Sequence, residues 1–196
     1  MQVIVGSNKF TREVMLGSMS DIAEPRWLDE EELKTWLTLA GMLVRLPTAI
    51  DAQLQRDAQI SHFEYQVLAG LSMAPGRTLR MSVLAAFAEG SLARLSQVAA
   101  RLEKRGWLRR TPDPADGRST LAILTDAGLD KVVATAPGHV NEVRRLVFDT
   151  LTKAQQRHLR DSSRRIMRAI DPDDPCLDGL PFDTASPATG QPTPDE

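Results

Sequence analysis

The most informative stretch of the chain is residues 91–125, which read SLARLSQVAARLEKRGWLRRTPDPADGRSTLAILT. The first part shows helical periodicity of apolar residues, and Gly106 is a typical stop signal for a helix. Residues 107–111 and 120–124 have the composition of short strands, and the segment between them is rich in proline, aspartate and glycine. The stretch therefore predicts one helix followed by a two-stranded β-hairpin.

The helix predicted over 92–105 has two faces of different chemistry. One face is apolar and is expected to pack inward, with Leu92, Leu95, Ala99 and Leu102. The other face is polar and basic, with Arg94, Gln97, Arg101 and Lys104. Arginine pairs with guanine and glutamine pairs with adenine through two hydrogen bonds, and an α-helix fits the major groove of DNA. Together with a short helix expected over 81–89, this pattern predicts a helix-turn-helix.

The predicted hairpin adds positive charge beside this helix. Arg109, Arg110 and Arg118 lie on or near its turn, so we expect them to project from a wing whose arginines can enter the narrow minor groove. Asp116 precedes Arg118 by two residues and is expected to orient its guanidinium through a charge-assisted hydrogen bond. When these two residues are considered alone, a plain turn ion pair is at least as good an interpretation.

The net charge of −2 conceals an uneven distribution. Residues 171–196 contain seven acidic residues, six of the twelve prolines and no basic residue, which predicts an acidic, proline-rich disordered tail over 172–196. Residues 90–124 carry seven basic residues against three acidic ones, which indicates a face that binds a polyanion. On charge alone, a solvated arginine-rich helix is the simpler interpretation.

Helical periodicity continues on both sides of these elements. Pro47 is expected to bend the first helix, and Pro137-Gly138 to break or kink the helical region after the hairpin. Asp29 and Ser61 are expected to cap the helices that follow them. Only two strands are predicted, so the fold class is mostly α with a small β-hairpin wing. The further helices are predicted over about 30–57, 61–74, 126–134, 139–150 and 152–170.

Several segments resemble the MarR family (multiple-antibiotic-resistance regulators) of winged-helix transcription factors. Asp116-Gly117-Arg118, followed after five residues by Leu124-Thr125, resembles the family's wing signature. Residues 101–107 and 124–128 resemble its RLEKRG and LTDAG motifs. The upstream segments 61–68 and 80–85 also fit the family pattern, and the resemblance extends over 27–171. Ala93 departs from it, because many members have serine there.

The resemblance implies a winged helix-turn-helix lobe and a helical dimerisation region built from both ends of the domain. The implied partners are a second copy of the chain and an inverted repeat of double-stranded DNA, bound by a repressor. A cytoplasmic location is expected separately, because no stretch of the sequence has the pattern of a secretory signal or a membrane span. Apolar positions such as Leu33, Leu37, Val143 and Ile166 are expected at the dimer interface. The implied boundaries are an N-terminal extension over 1–26, a winged-helix domain over 27–171, a DNA-binding lobe over 61–125, dimerisation helices over 27–57 and 139–170, and the tail over 172–196.

Two groups of site residues are expected. Within the DNA-binding group, Arg94 and Gln97 are expected to read bases. The other residues of this group on or next to the helix predicted over 92–105 are expected to contact phosphates or to support the residues that read bases: Ser91, Ser96, Arg101 and Lys104. For the effector, the resemblance implies a small aromatic or phenolic molecule in a crevice lined by Trp36, His62, Phe63 and Tyr65. Taken singly, Trp36 and Phe63 are better explained as ordinary core residues. The expected DNA-binding residues are Ser91, Arg94, Ser96, Gln97, Arg101, Lys104, Arg110, Asp116 and Arg118.

Other functional classes find little support. His62, His139 and His158 have no serine or cysteine nucleophile nearby in sequence and are interpreted as capping or surface residues, so no enzyme activity is expected. The single cysteine, Cys176, excludes an internal disulfide and makes thiol sensing a weak hypothesis. Neither a cofactor, a metal site nor a membrane segment is expected. The alternative function is a winged-helix module that docks another protein and binds DNA weakly or not at all.

Overall fold

The computed structural model describes residues 25–172. The predicted N-terminal extension and acidic tail therefore lie almost wholly outside the described residues. The chain divides into two units, 1–48 and 49–196, and the first helix crosses the division. The elements follow in the order α1 (Glu30–Ala58), α2 (His62–Met73), β1 (Thr78–Arg80), α3 (Met81–Phe87), α4 (Leu92–Lys104), β2 (Leu108–Asp113), β3 (Asp116–Leu124), α5 (Asp126–Val143) and α6 (Lys153–Ile170).

Local sequence explains where the helices begin. The Asp29 carboxylate accepts the Glu32 backbone N–H at 2.8 Å, and the Glu32 carboxylate accepts the Asp29 N–H at 3.0 Å. Ser61 and Glu64 form the same reciprocal pair at the start of α2. These bonds satisfy N–H groups that lack partners in a first helical turn. The predicted caps at Asp29 and Ser61 are confirmed.

The core lies within the second unit, among α2, α3, α4, the sheet and α5. On α4, Leu95, Ala99 and Leu102 have no exposed surface, as the helical spacing predicts. Leu92 is 53% exposed, so the prediction that it packs inward is wrong. Its side chain lies at the first turn of α4, where it lines a surface cleft instead of joining the core cluster.

The sheet has a third strand that the sequence analysis missed. The strand order is β1-β3-β2, and all neighbours are antiparallel. In β1, Thr78 pairs with Ile123, Leu79 with Ala122 and Arg80 with Leu121. Three residues are too few to show alternation, and the strand forms only because β3 supplies its hydrogen bonds. The expectation of an isolated two-stranded hairpin is therefore corrected.

A break at Pro137-Gly138 is also wrong, because α5 continues through both residues. A proline in a helix leaves the carbonyl four residues earlier without its bond, and that residue is Val133, whose side chain is 62% exposed. Solvent can hydrate the freed carbonyl on this side of the helix. A π-helical turn, Arg144–Phe148, follows α5. Within residues 25–172, no helix is both long and apolar enough to cross a bilayer.

Candidate nucleic-acid interface

The helix α4 presents the polar face that the sequence predicts. Ser91 caps it, with its Oγ accepting the Arg94 backbone N–H at 3.2 Å. Burial of Leu95, Val98, Ala99 and Leu102 fixes which side of the helix meets the core. The opposite side is exposed to solvent, and it carries Arg94, Gln97, Arg101 and Lys104.

Two arginines of this face are anchored on α2. The guanidinium carbon of Arg94 lies 4.1 Å from the centre of the Phe63 ring, a cation–π contact. The Arg101 Nε lies 3.5 Å from the carboxylate of Glu64, whose side chain is buried. These contacts restrict rotamers that a free arginine would sample, so both side chains are partly preorganised. Arg101 is also partly neutralised by Glu64, which weakens its attraction for phosphate.

A cleft of about 220 Å³ lies beside the first turn of α4. It is lined from the three strands by Arg80, Arg110 and Arg118, from α3 by Met81, and from α4 by Leu92 and Ser96. Ser82, Ser119 and Thr120 add hydroxyl groups. Its hydroxyl groups and the charge of Arg118, which makes no ion pair among residues 25–172, can attract a polyanion such as the DNA backbone.

The wing carries its arginines differently from the sequence prediction. Arg109 pairs with Ile123 and Arg110 with Ala122, so both lie away from the turn at Asp113–Asp116. The Arg110 guanidinium donates two bonds to the Glu103 carboxylate, at 2.9 and 3.1 Å. These bonds hold the pKa of Glu103 below its ordinary value. The expectation that Arg110 projects freely from the wing is therefore corrected, because a carboxylate on α4 neutralises it.

Arg118 lies at the wing tip, where the pairing register shifts. Among residues 25–172 it makes no ion pair, including none with Asp116. The Asp116 carboxylate instead accepts the Arg118 backbone N–H at 3.1 Å and the Ser119 hydroxyl at 2.8 Å. The expectation that Asp116 orients the guanidinium is wrong. Asp116 shapes the backbone of the turn and leaves the Arg118 charge available.

Sequence reasoning missed the pair that fixes the wing, Arg80 and Asp113. The Arg80 Nε donates to the Asp113 carboxylate at 2.7 Å, and the Ala115 backbone N–H donates to it at 2.9 Å. The Asp113 side chain is 8% exposed. The Ala115 bond and then Arg80 hold the pKa of Asp113 below its ordinary value. No local signal marks this pair, because the two residues are 33 positions apart and β1 was not predicted.

A second polar cluster lies where α2 meets α5. The ring of His139 is 4.4 Å from that of Tyr65 and 6.2 Å from that of His62, measured between centres. Burial lowers the pKa of both histidines and raises the pKa of Tyr65. The buried Nδ1 of His139 and Oε1 of Gln53 have no hydrogen-bond partner within the described part of the chain. A Cβ added at Gly138 would lie 3.4 Å from the Gln53 amide nitrogen, which places Gln53 beside this cluster.

The four predicted effector residues are not all together. His62 and Tyr65 both contact His139, a residue wrongly interpreted as a capping or surface histidine. His139 lies inside α5 and is partly buried because that helix continues through Pro137. Phe63 belongs to the core cluster and lies under Arg94. Trp36 lies in the first unit and is 48% exposed, so its assignment stays a prediction.

Known proteins resemble the chain over both its helical parts and its wing. The family model described as the MarR family matches residues 59–119. A regulator from Bacillus subtilis, YdcH, is 32% identical over 80 residues, and this match spans 40% of the chain and 54% of YdcH. The chain therefore spans about half the length of that relative.

Two solved structures from Streptomyces coelicolor match over most of their length. AbsC, a MarR family transcriptional regulator, is 31% identical with a TM-score of 0.71, covering 74% of this chain and 98% of AbsC. Sco3205, a MarR family transcriptional regulator crystallised with DNA, is 44% identical with a TM-score of 0.73. The Sco3205 match covers 76% of this chain and 94% of Sco3205. The wing, the helix-turn-helix and these matches together show that the chain belongs to the MarR family of winged-helix transcriptional regulators.

Proposed function

We propose that this protein is a repressor that binds an inverted repeat of double-stranded DNA as a homodimer. The observation that carries the proposal is the basic cleft, which α4 and the wing tip border together. A helix in the major groove would place Arg94 and Gln97 at base edges, while Arg118 reaches the sugar–phosphate backbone or the minor groove. The similarity to Sco3205, which was crystallised with DNA, supports the same partner here.

The helices at the two ends of the domain support a homodimer. None of the 18 residues of α6 is buried, although this helix carries Ile166, 47% exposed, and Ile170, 78% exposed. In the first unit, Leu37 and Leu43 of α1 are 53% and 58% exposed. Apolar surfaces of this kind are typical of subunit interfaces. A two-fold axis would place two α4 helices in successive major grooves about 10 bp apart, which requires an inverted repeat.

The polar cluster of His62, Tyr65 and His139 is the proposed effector site. A flat ring could stack on its aromatic side chains, and the unpartnered atoms of Gln53 and His139 could bond polar substituents of a phenolic acid. Such a ligand releases DNA only if it binds better to a dimer whose α4 helices no longer match the half-site spacing. His62 and Phe63 are adjacent in α2, so a ligand that moves His62 would also move the Phe63 ring that holds the Arg94 guanidinium.

The salt dependence of DNA binding tests the proposed function against a protein-docking role. Phosphate contacts release counterions, so the affinity of the full chain for duplex DNA is expected to fall steeply as salt rises. A selection from random duplexes is expected to yield an inverted repeat. Weak binding without a salt slope or a selected sequence would favour the protein-docking module instead.

The effector is tested separately by titrating salicylate-like compounds into the protein–DNA complex. Release of DNA by one aromatic acid, and loss of that response in Tyr65→Leu, would support the site. If no aromatic acid changes the affinity for DNA at millimolar concentration, this ligand class is wrong. Control by the abundance of the protein itself would then be the preferred interpretation.

A further inference from the structure

Leu92 is an exposed apolar side chain in a cleft whose other lining residues are arginines, hydroxyl residues and the buried Met81. It is the first residue of α4 and is 53% exposed, whereas Leu95, Ala99 and Leu102 on the same helix are fully buried. The cleft around it is also lined by three arginines, four hydroxyl residues and Met81. Folding therefore leaves about half of Leu92 exposed to water, and a ligand that covers it would remove apolar surface from water.

The first turn of α4 presents Leu92 and Ser96 to this cleft. These residues are four positions apart, so they lie on the same side of the helix, and both line the cleft. Arg94 is held over the Phe63 ring instead. The first turn of α4 therefore offers this cleft a leucine side chain and a serine hydroxyl, and not the Arg94 guanidinium.

One apolar group is available on the base edges of the major groove, the C5-methyl of thymine. We propose that Leu92 contacts this methyl group and selects thymine at one position of each half-site. The proposal rests on the proposed function, because it requires α4 to enter the major groove. Arg118, which makes no ion pair among residues 25–172, would meanwhile face a phosphate.

A uracil scan of a selected duplex tests this contact. Deoxyuridine in place of each thymidine removes the C5-methyl and leaves base pairing unchanged. For the full-length wild-type chain, we expect affinity to fall about fourfold at one position per half-site, the effect of exposing one methyl group. The Leu92→Ala variant should bind the thymine duplex more weakly and should show no effect of uracil at that position.

Two further variants keep the test independent of folding. Leu92→Met retains an apolar side chain and should keep the uracil effect. Met73→Ala is the control, because it removes an apolar side chain of similar exposure, 47%, on α2. Met73→Ala should behave like the wild type. A uracil profile that is flat in the wild type or unchanged in Leu92→Ala would overturn the thymine contact alone. Failure to select any sequence would overturn the proposed function, and the contact with it.

Discussion

The guanidinium carbon of Arg94 lies 4.1 Å from the centre of the Phe63 ring, which joins the exposed polar face of α4 to the start of α2. Phe63 is 6% exposed, so the ring is fixed by the core. A Cβ added at Gly90 would lie 2.5 Å from this ring, so the turn before α4 leaves no room for a side chain there. The position of Arg94 therefore depends on the packing of α2 as well as on α4 itself.

Arg94→Ala is expected to weaken specific DNA binding by about 1–3 kcal/mol and to relax the preference at one position per half-site. The reason is that the proposed function places Arg94 at a base edge, where arginine pairs with guanine through two hydrogen bonds. Lys104→Ala is the control, since loss of a phosphate contact should weaken specific and random DNA equally. Competition binding with both kinds of duplex measures the difference. An unchanged preference in Arg94→Ala would show that another residue reads this base.

Arg118→Ala is expected to weaken binding to all duplexes and to reduce the salt slope by about one. Its side chain makes no ion pair within the described residues, so the unfolding midpoint should stay close to that of the wild type. Asp116→Ala should give a milder binding defect, because it frees the backbone of the turn and not the guanidinium. A large loss of stability in Arg118→Ala would indicate a structural role.

Asp113→Ala is expected to destabilise the fold by about 1–3 kcal/mol, because it leaves a guanidinium and a backbone N–H without their partner. DNA affinity should fall as well, because the Arg80 guanidinium and the Ala115 backbone N–H at the wing tip both lose the carboxylate that accepts their hydrogen bonds. Asp126→Ala is the matched control: it breaks an ion pair with Arg77 at 2.8 Å, but the Asp126 side chain is 98% exposed. That change should cost no more than about 1 kcal/mol. The free energy of unfolding in urea, measured for the wild type and both variants, tests whether Asp113→Ala is the more destabilising change.

Acidification is expected to destabilise the fold through His62 and His139. Burial lowers the pKa of both histidines, and each charged ring would also repel the other. The unfolded chain therefore takes up protons first, near the ordinary value of about 6.5. The stability contributed by the neutral rings is present above that pH and is lost as pH falls toward the lowered values. Asp51 opposes this effect at His62 through its negative charge.

The measurement is the urea midpoint of the wild type and of His139→Gln at about pH 7.5 and about pH 5.5. His139→Gln removes one titrating ring and the repulsion on the other, so its midpoint should change less between the two pH values. Identical pH dependence in both proteins would show that this cluster does not control acid stability.

Light scattering of the full chain is expected to give twice the mass of one chain at micromolar concentration. The double change Ile166→Asp and Ile170→Asp adds charge to an apolar face and should shift the protein toward monomer or weaken folding. Met73→Asp, on α2, serves as the control because its residue is similarly exposed. A monomer mass for the wild type would exclude the dimer and, with it, the inverted repeat.

The sequence by itself determined the elements whose signals are local. Ser91 caps α4, the apolar spacing buries Leu95 and Leu102, and Gly106 ends the helix with a positive φ of 74°. The polar face with Arg94 and Gln97 follows from the same spacing. The proline, aspartate and glycine residues between the two wing strands predict the turn that makes these strands a hairpin. Each of these features depends on residues within one or two turns of the chain, which is why the pattern of side chains is sufficient to predict them.

Only the tertiary structure decided which charges remain available for DNA. Glu103 neutralises Arg110, whereas Arg80 pairs with Asp113 through a strand that β3 alone stabilises. The tertiary structure also decided that Leu92 stays exposed while the other apolar residues predicted on its face of α4 are buried, namely Leu95, Ala99 and Leu102. These outcomes depend on which side chains meet across the fold. Spacing along one element does not contain that information, because an ion pair or a buried contact needs a partner whose position the rest of the chain sets.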